Sequence, residues 1–185
     1  FGNIKAMSIA SLAGTVVILA LSTFIVKLAS KIGKKELSMI GCFISAASFI
    51  LLFIIHTHNV LVWVGLIIVA TIGTSMFNMV IWAMITDVID ESEVQTGVRQ
   101  DGTIYSVYSF ARKLGQACSS GLSGVLLSII GYTSVTAFDP KVVDGIYNIT
   151  CLVPAGGMIL LLLALWFLYP LNKKRVEENA EKLRI

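Results

Sequence analysis

VLVWVGLIIVATIGTSMFNMVIWAMI, residues 60–85, runs for 26 positions without a charged side chain. The hydrocarbon core of a bilayer is about 30 Å thick, and a helix rising about 1.5 Å per residue crosses it in about 20 residues. A stretch this long and apolar predicts a transmembrane helix rather than a buried helix of a water-soluble domain. The pattern repeats on either side. Apolar runs occupy residues 7–26 and 38–55 upstream, and 103–131 and 145–169 downstream. The sequence therefore predicts an all-α integral membrane bundle of about five spans over residues 1–170, followed by a polar tail over 171–185.

Composition points the same way. Hydrophobic residues make up 56% of the 185 positions and charged residues only 14%, where a soluble chain carries about 25% charged residues. The charges gather in islands between the runs. Lys27, Lys31, Lys34 and Lys35 follow the first run, the polar turn His56-Thr57-His58-Asn59 closes the second, and an acidic connector occupies 86–102. A loop over 132–144 contains the turn signal Asp139-Pro140, and Pro170 ends the fifth run. In the tail Glu178 stands four residues before Lys182, a spacing that supports a short solvated helix. The net charge of +3 gives no reason to expect a nucleic-acid partner. Phe1 is not an initiator, and no charged segment with a cleavage site precedes the first run, so the expectation is a chain without a signal peptide, cut from a longer one. Cys42, Cys118 and Cys151 each fall inside an apolar run at spacings that fit no metal or disulfide framework, and they are expected to be small packing residues.

Orientation follows from the basic residues. Lys27, Lys31, Lys34, Lys35, Arg99, Lys173, Lys174, Arg175, Lys182 and Arg184 fall on one side, ten in all, against Lys5 and Lys141 on the other. The ten-residue side is expected to be cytoplasmic, which puts the C-terminus inside and the N-terminus outside. With five spans, at least one further helix is expected before Phe1.

Three helices carry polar stripes at helical spacing: Ser8, Ser11, Thr15 and Ser22; Thr71, Ser75, Asn78 and Trp82; and Ser106, Ser109, Lys113, Gln116 and Ser120. Such a stripe suits helix packing or the wall of a polar pathway, and the larger Asn78 and Gln116 suit the pathway better than the serines do. Ala117, Ser120, Gly121 and Gly124 offer a small face for close helix approach. Arg112 and Lys113 lie within the fourth run, near its cytoplasmic end. There they either snorkel to the surface or serve a site, and because neighbours on a helix point about 100° apart, at most one can face a cavity squarely. In the connector, Asp87, Asp90 and Glu93 recur every third residue as an acidic edge, with Glu91, Arg99 and Asp101 beside them. That edge is either a solvated loop or an ion-pair surface that opens and closes against a basic partner. Nucleophile, Walker and dinucleotide motifs are absent, so enzymatic activity is not expected. Asn148-Ile-Thr150 matches a glycosylation sequon but lies too close to a span to carry weight, and His56 with His58 reads as a polar turn rather than a metal pair.

The stretch WAMITDVIDESEVQTGVRQDGTIYSVYSFARKLGQ, residues 82–116, resembles the glycoside–pentoside–hexuronide:cation symporters, a branch of the major facilitator superfamily. The resemblance rests on the Asp87, Asp90, Glu93 edge, then Thr96-Gly97-x-Arg99, Gly102, a helix start rich in serine and aromatics, and Lys113-x-Gly115. Ala29-Ser30-Lys31-Ile32-Gly33-Lys34-Lys35 also resembles the family's loop between its eighth and ninth helices.

The resemblance implies helices eight to twelve of a twelve-helix sugar symporter in the cell membrane, whose two halves rock about a central site. It implies substrate contacts at Lys113, Arg112, Gln116, Asn78 and Trp82, and cytoplasmic gate ion pairs at Asp87, Asp90, Glu93 and Arg99. A coupling cation, Na+ or H+, is implied as well, held mainly by acids of the N-terminal half, which is itself the implied partner of this bundle. Asn78 stands about one turn before Trp82, where the family's melibiose-transporting member has an aromatic residue. The string Phe110-x-Arg112-Lys113-x-Gly115-Gln116 is closer to the glucuronide-transporting branch. A glucuronide or other uronide is thus the leading substrate class, because a cation binds a carboxylate about twice as strongly as a neutral group. A neutral glycoside or pentoside is the alternative, and a non-transporting membrane scaffold or receptor-like protein the alternative of another class.

Overall fold

Gly33 sits at φ 117°, in the left-handed region that side chains disfavour, and it alone separates the first two helices. The computed structural model describes residues 4–57 and 59–183. His58 and Arg184 lie outside the described residues, and so do the side chains of Lys5, Ser8 and Ser11. Helix α1 spans Ile4–Ile32 and α2 spans Lys34–Ile55. Next come α3 (Val60–Thr96), α4 (Asp101–Ile129), α5 (Pro140–Phe167) and α6 (Lys173–Leu183). No strand occurs among the described residues. The Asn59 side chain caps α3 by accepting from the Leu61 N–H at 2.9 Å.

Two boundaries differ from the sequence expectation. The acidic connector is not a loop, because α3 continues through it to Thr96 for 37 residues, about 55 Å. Neither glycine nor proline occurs between Gly73 and Gly97, so nothing stops the helix within the connector. At the other end, α5 starts at Pro140, ahead of the apolar run, since Asp139 takes the N-cap position and proline's fixed φ suits the first helical residue.

Helices α2, α3 and α5 are long and apolar enough to cross a membrane, and α1 joins them if its two segments, Gly14–Ala20 and Phe24–Ile32, count as one span bent by 55°. Ser22 lies in that bend and donates to the Leu19 carbonyl at 2.8 Å, the kind of back-bonding that distorts a helix. Helix α4 has the length to span but is too polar to be counted with them.

Helix α2 packs between α3 and α5, α1 lies against α3, and α6 rests on the far end of α3. Lipid tails are as apolar as leucine, so packing quality rather than water exclusion holds such helices together. The closest approach is at Gly41 and Gly73. A Cβ added to Gly41 would stand 2.5 Å from the Gly73 carbonyl oxygen, and one on Gly73 would stand 2.8 Å from the Ser45 nitrogen. Beside this crossing the Ser45 and Thr74 hydroxyls lie 3.0 Å apart. Ile25, Leu37, Cys42, Val80, Met84 and Leu165 form the buried cluster next to it. The small face of α4 meets no neighbour among the described residues: nothing lies within 4 Å of a Cβ built on Gly121 or Gly124, and α4 buries no residue among those described. Cys42 and Cys151 are buried packing residues as expected, whereas Cys118, on α4, is exposed.

Candidate functional site: a polar cleft between α3 and α4

An open cleft of about 1000 Å³ separates the middle of α3 from α4. From α3, Asn78 and Trp82 reach it, one helical turn apart. From α4 come Arg112, Gln116, Ser119 and Ser120. Phe77, Ile81 and Tyr108 supply apolar wall. Four of the five substrate residues expected from the sequence, Asn78, Trp82, Arg112 and Gln116, are therefore brought together. The fifth, Lys113, does not line the cleft. It is exposed on α4, about 100° of helix rotation from Arg112.

Arg112 is the only charged residue lining the cleft, and it has no ion-pair partner among the described residues. Its guanidinium carbon sits 5.4 Å from the centroid of the Trp82 ring, within cation–π range. Tyr105 stacks on Trp82 at 5.9 Å with 28° between the ring planes, and Tyr108 meets it edge-on at 5.5 Å and 75°. The two tyrosines were not singled out from sequence. Their signal was the i, i+3, i+7 spacing of Tyr105, Tyr108 and Arg112, one face of a helix. The α3 stripe divides. Asn78 and Trp82 face the cleft, while Ser75 is buried and donates to the Thr71 carbonyl at 2.7 Å.

The four expected gate residues fall into two separate networks, both made within this chain. Asp87 is 4% exposed and pairs with Lys34 of α2 at 2.5 Å, so it belongs to the interior and not to a surface edge. Arg99 is clamped by Asp90 at 3.0 Å, Glu93 at 2.7 Å and Asp101 at 2.9 Å. Glu93 first, then Asp90, hold the guanidinium's proton more firmly than usual. Glu91, given no role from sequence, docks α6. Arg175 pairs with it, and Asn179 donates to it at 2.6 Å. The first 26 residues of α3 already exceed the membrane thickness, so Glu91 stands outside the span. There Arg175, with help from Asn179 and Gln95, pulls its carboxyl down to about 2 against the opposing effect of burial.

The basic islands meet at this end of the bundle. Lys173 donates to the Lys31 carbonyl at 2.9 Å, and Lys35 to the Tyr169 carbonyl at 2.5 Å. In the tail, the helical ion pairs are Lys173–Glu177 and Lys174–Glu178 rather than Glu178 with Lys182. At the opposite end His56 pairs with Asp144 at 2.8 Å, and Tyr147 donates to the Leu52 carbonyl at 2.8 Å. No cluster of three or more potential metal ligands occurs among the described residues, and Asn148 of the sequon lies inside α5.

Residues 1–173 match a family model described as MFS/sugar transport protein. The glucuronide carrier protein homolog of Escherichia coli K12 is 33% identical over 168 residues, covering 91% of this chain and 36% of that protein. The uncharacterized symporter YjmB of Bacillus subtilis 168 is 36% identical over 160 residues, covering 86% of this chain and 35% of that protein. A putative sulfoquinovose importer of Salmonella typhimurium LT2 is 33% identical over 156 residues, covering 82% and 33%. The chain thus spans about a third of the length of these relatives. They are named as a carrier, a symporter and an importer, none as an enzyme.

Proposed function

The chain belongs to the MFS/sugar transport protein family, and on that premise we propose that it forms the C-terminal bundle, helices eight to twelve of twelve, of a cation-coupled sugar symporter. The transporter works by alternating access, with one wall of its substrate path in the cleft between α3 and α4. Its substrate is a glucuronide or another uronide. The observation that carries this reading is Arg112, a cation with no acidic partner among the described residues, set beside an aromatic cluster and two amides. A pyranose ring packs its C–H face on an aromatic ring, its hydroxyls pair with Asn78 and Gln116, and its carboxylate meets the guanidinium in a charge-assisted, bidentate bond. Two relatives carry names of anionic sugars, a glucuronide and sulfoquinovose, which supports the same substrate chemistry.

The coupling cation, Na+ or H+, is held mainly outside this chain. Among the described residues no acidic side chain lines the cleft, and Asp87, Asp90, Glu91 and Glu93 are all engaged with basic partners. The remaining helices of the transporter form the facing wall. The protein resides in the cell membrane with the end bearing Lys31, Lys34 and the α6 tail in the cytoplasm, as the basic bias indicates. Uptake of a radiolabelled glucuronide into vesicles carrying the full-length transporter, with and without a sodium or proton gradient, tests the proposal. Gradient-driven accumulation inhibited by excess glucuronide is expected. Absence of accumulation under both gradients contradicts it.

A further inference from the structure

A sugar that enters this cleft finds the Trp82 indole already in company. Arg112 stands over the ring at 5.4 Å, while Tyr105 and Tyr108 hold the indole in place. Among the described residues, no carboxylate lines the cleft to draw the guanidinium elsewhere.

We infer that Arg112 sets specificity by occupancy: in the empty cleft its guanidinium covers the Trp82 face, and a substrate reaches that face only by drawing Arg112 away. The inference rests on the reading of this cleft as the sugar site. Leaving the ring forfeits a cation–π attraction, and the outcome then depends on what the substrate offers in return. A carboxylate or sulfonate offers two parallel charge-assisted hydrogen bonds to the planar guanidinium, stronger than the contact given up. A neutral glycoside offers hydroxyl groups alone and does not offset the loss. Discrimination is a difference between two affinities, and the covered ring acts on the unwanted side of that difference. Arg112 thus does more than attract anions. It also lowers the affinity for neutral sugars that would otherwise stack on Trp82.

This predicts a gain as well as a loss. In the full-length transporter, equilibrium binding of a β-glucuronide and of the matching neutral β-glucoside is measured for the wild type and for Arg112→Gln. The glucuronide affinity of the variant falls at least about tenfold, as loss of a charge-assisted pair requires. Its glucoside affinity rises about two- to thirtyfold, the range of cation–π strengths expressed as a ratio of constants. If Arg112→Gln does not insert into the membrane, Arg112→Met, of similar reach and without charge, is read in the same way. A fall in glucuronide affinity with no rise for the glucoside overturns the occupancy role and leaves the substrate assignment standing. Wild-type affinity for both sugars overturns both, because the cleft then reads neither charge nor ring.

Discussion

Arg112 and Lys113 are neighbours in sequence, and one position on a helix decides which of them meets the cleft. A stripe drawn through serines, Ser106, Ser109, Lys113, Gln116 and Ser120, points to the lysine. The wall in the structure runs through Tyr108, Arg112, Gly115, Gln116 and Ser119 instead. The two faces overlap at Gln116 and Ser120, which is why those residues were legible and the choice of cation was not. Serine is a poor guide on such a helix because it satisfies its hydroxyl on its own backbone. Ser120 donates to the Gln116 carbonyl at 3.0 Å and Ser106 to the Thr103 carbonyl at 2.8 Å. The tyrosines escaped notice for the opposite reason, since an aromatic residue in an apolar run looks like one facing lipid. Arg112→Lys keeps the charge but loses the planar fork, so glucuronide affinity is expected to fall about tenfold. Lys113→Arg is expected to change it by less than about twofold, the range of a surface substitution. Parallel binding curves on the two variants at equal expression check this.

Between elements, the decisive contact is glycine against carbonyl. Gly41 and Gly73 let α2 and α3 touch backbone to backbone, so Gly41→Val forces the helices apart and should lower stability by about 1–3 kcal/mol. Gly121→Ala, in open space on α4, should stay within about 0.5 kcal/mol of the native protein. Thermal unfolding of the chain in detergent separates the two. From sequence the small face of α4 was singled out and Gly41 and Gly73 were given no role, because small residues mark close packing only where a second helix arrives. The charged extension of α3 was partly legible in the three-residue repeat of Asp87, Asp90 and Glu93. What it holds was not, since the α6 contact joins residues far apart in sequence, Glu91 and Arg175.

That contact has a pH signature. Glu91 is held at about 2 in the docked state against an ordinary value of 4.5. A depressed carboxyl pKa adds stability that is complete above the ordinary value and is lost as pH falls from there toward about 2. A spin label on Glu181→Cys of α6 should therefore gain mobility over that acid range. Glu91→Gln should raise the label's mobility at neutral pH and remove the acid step.

For the whole molecule, five apolar runs were enough to read an all-α membrane bundle. The structure joins the islands at one end through Lys34 with Asp87, Lys173 with Lys31 and Arg175 with Glu91. If that end is cytoplasmic, an impermeant thiol reagent outside intact cells should label Asp139→Cys and leave Lys34→Cys untouched. The reverse pattern would invert the topology. The polarity of α4, too high for it to be counted among the spans, fits the proposal that this helix lines a polar substrate path. Whether that path binds an anionic sugar is the central claim, and alkylation of Ser119→Cys in a Cys118→Ala background addresses it most directly. Ser119 lines the cleft, and this chain's other two cysteines, Cys42 and Cys151, are buried, with any cysteine elsewhere in the transporter replaced as well. In the full-length transporter a β-glucuronide should slow alkylation at this position severalfold, with half-protection at the concentration that half-saturates uptake. An alkylation rate that is the same with and without saturating glucuronide would contradict the account.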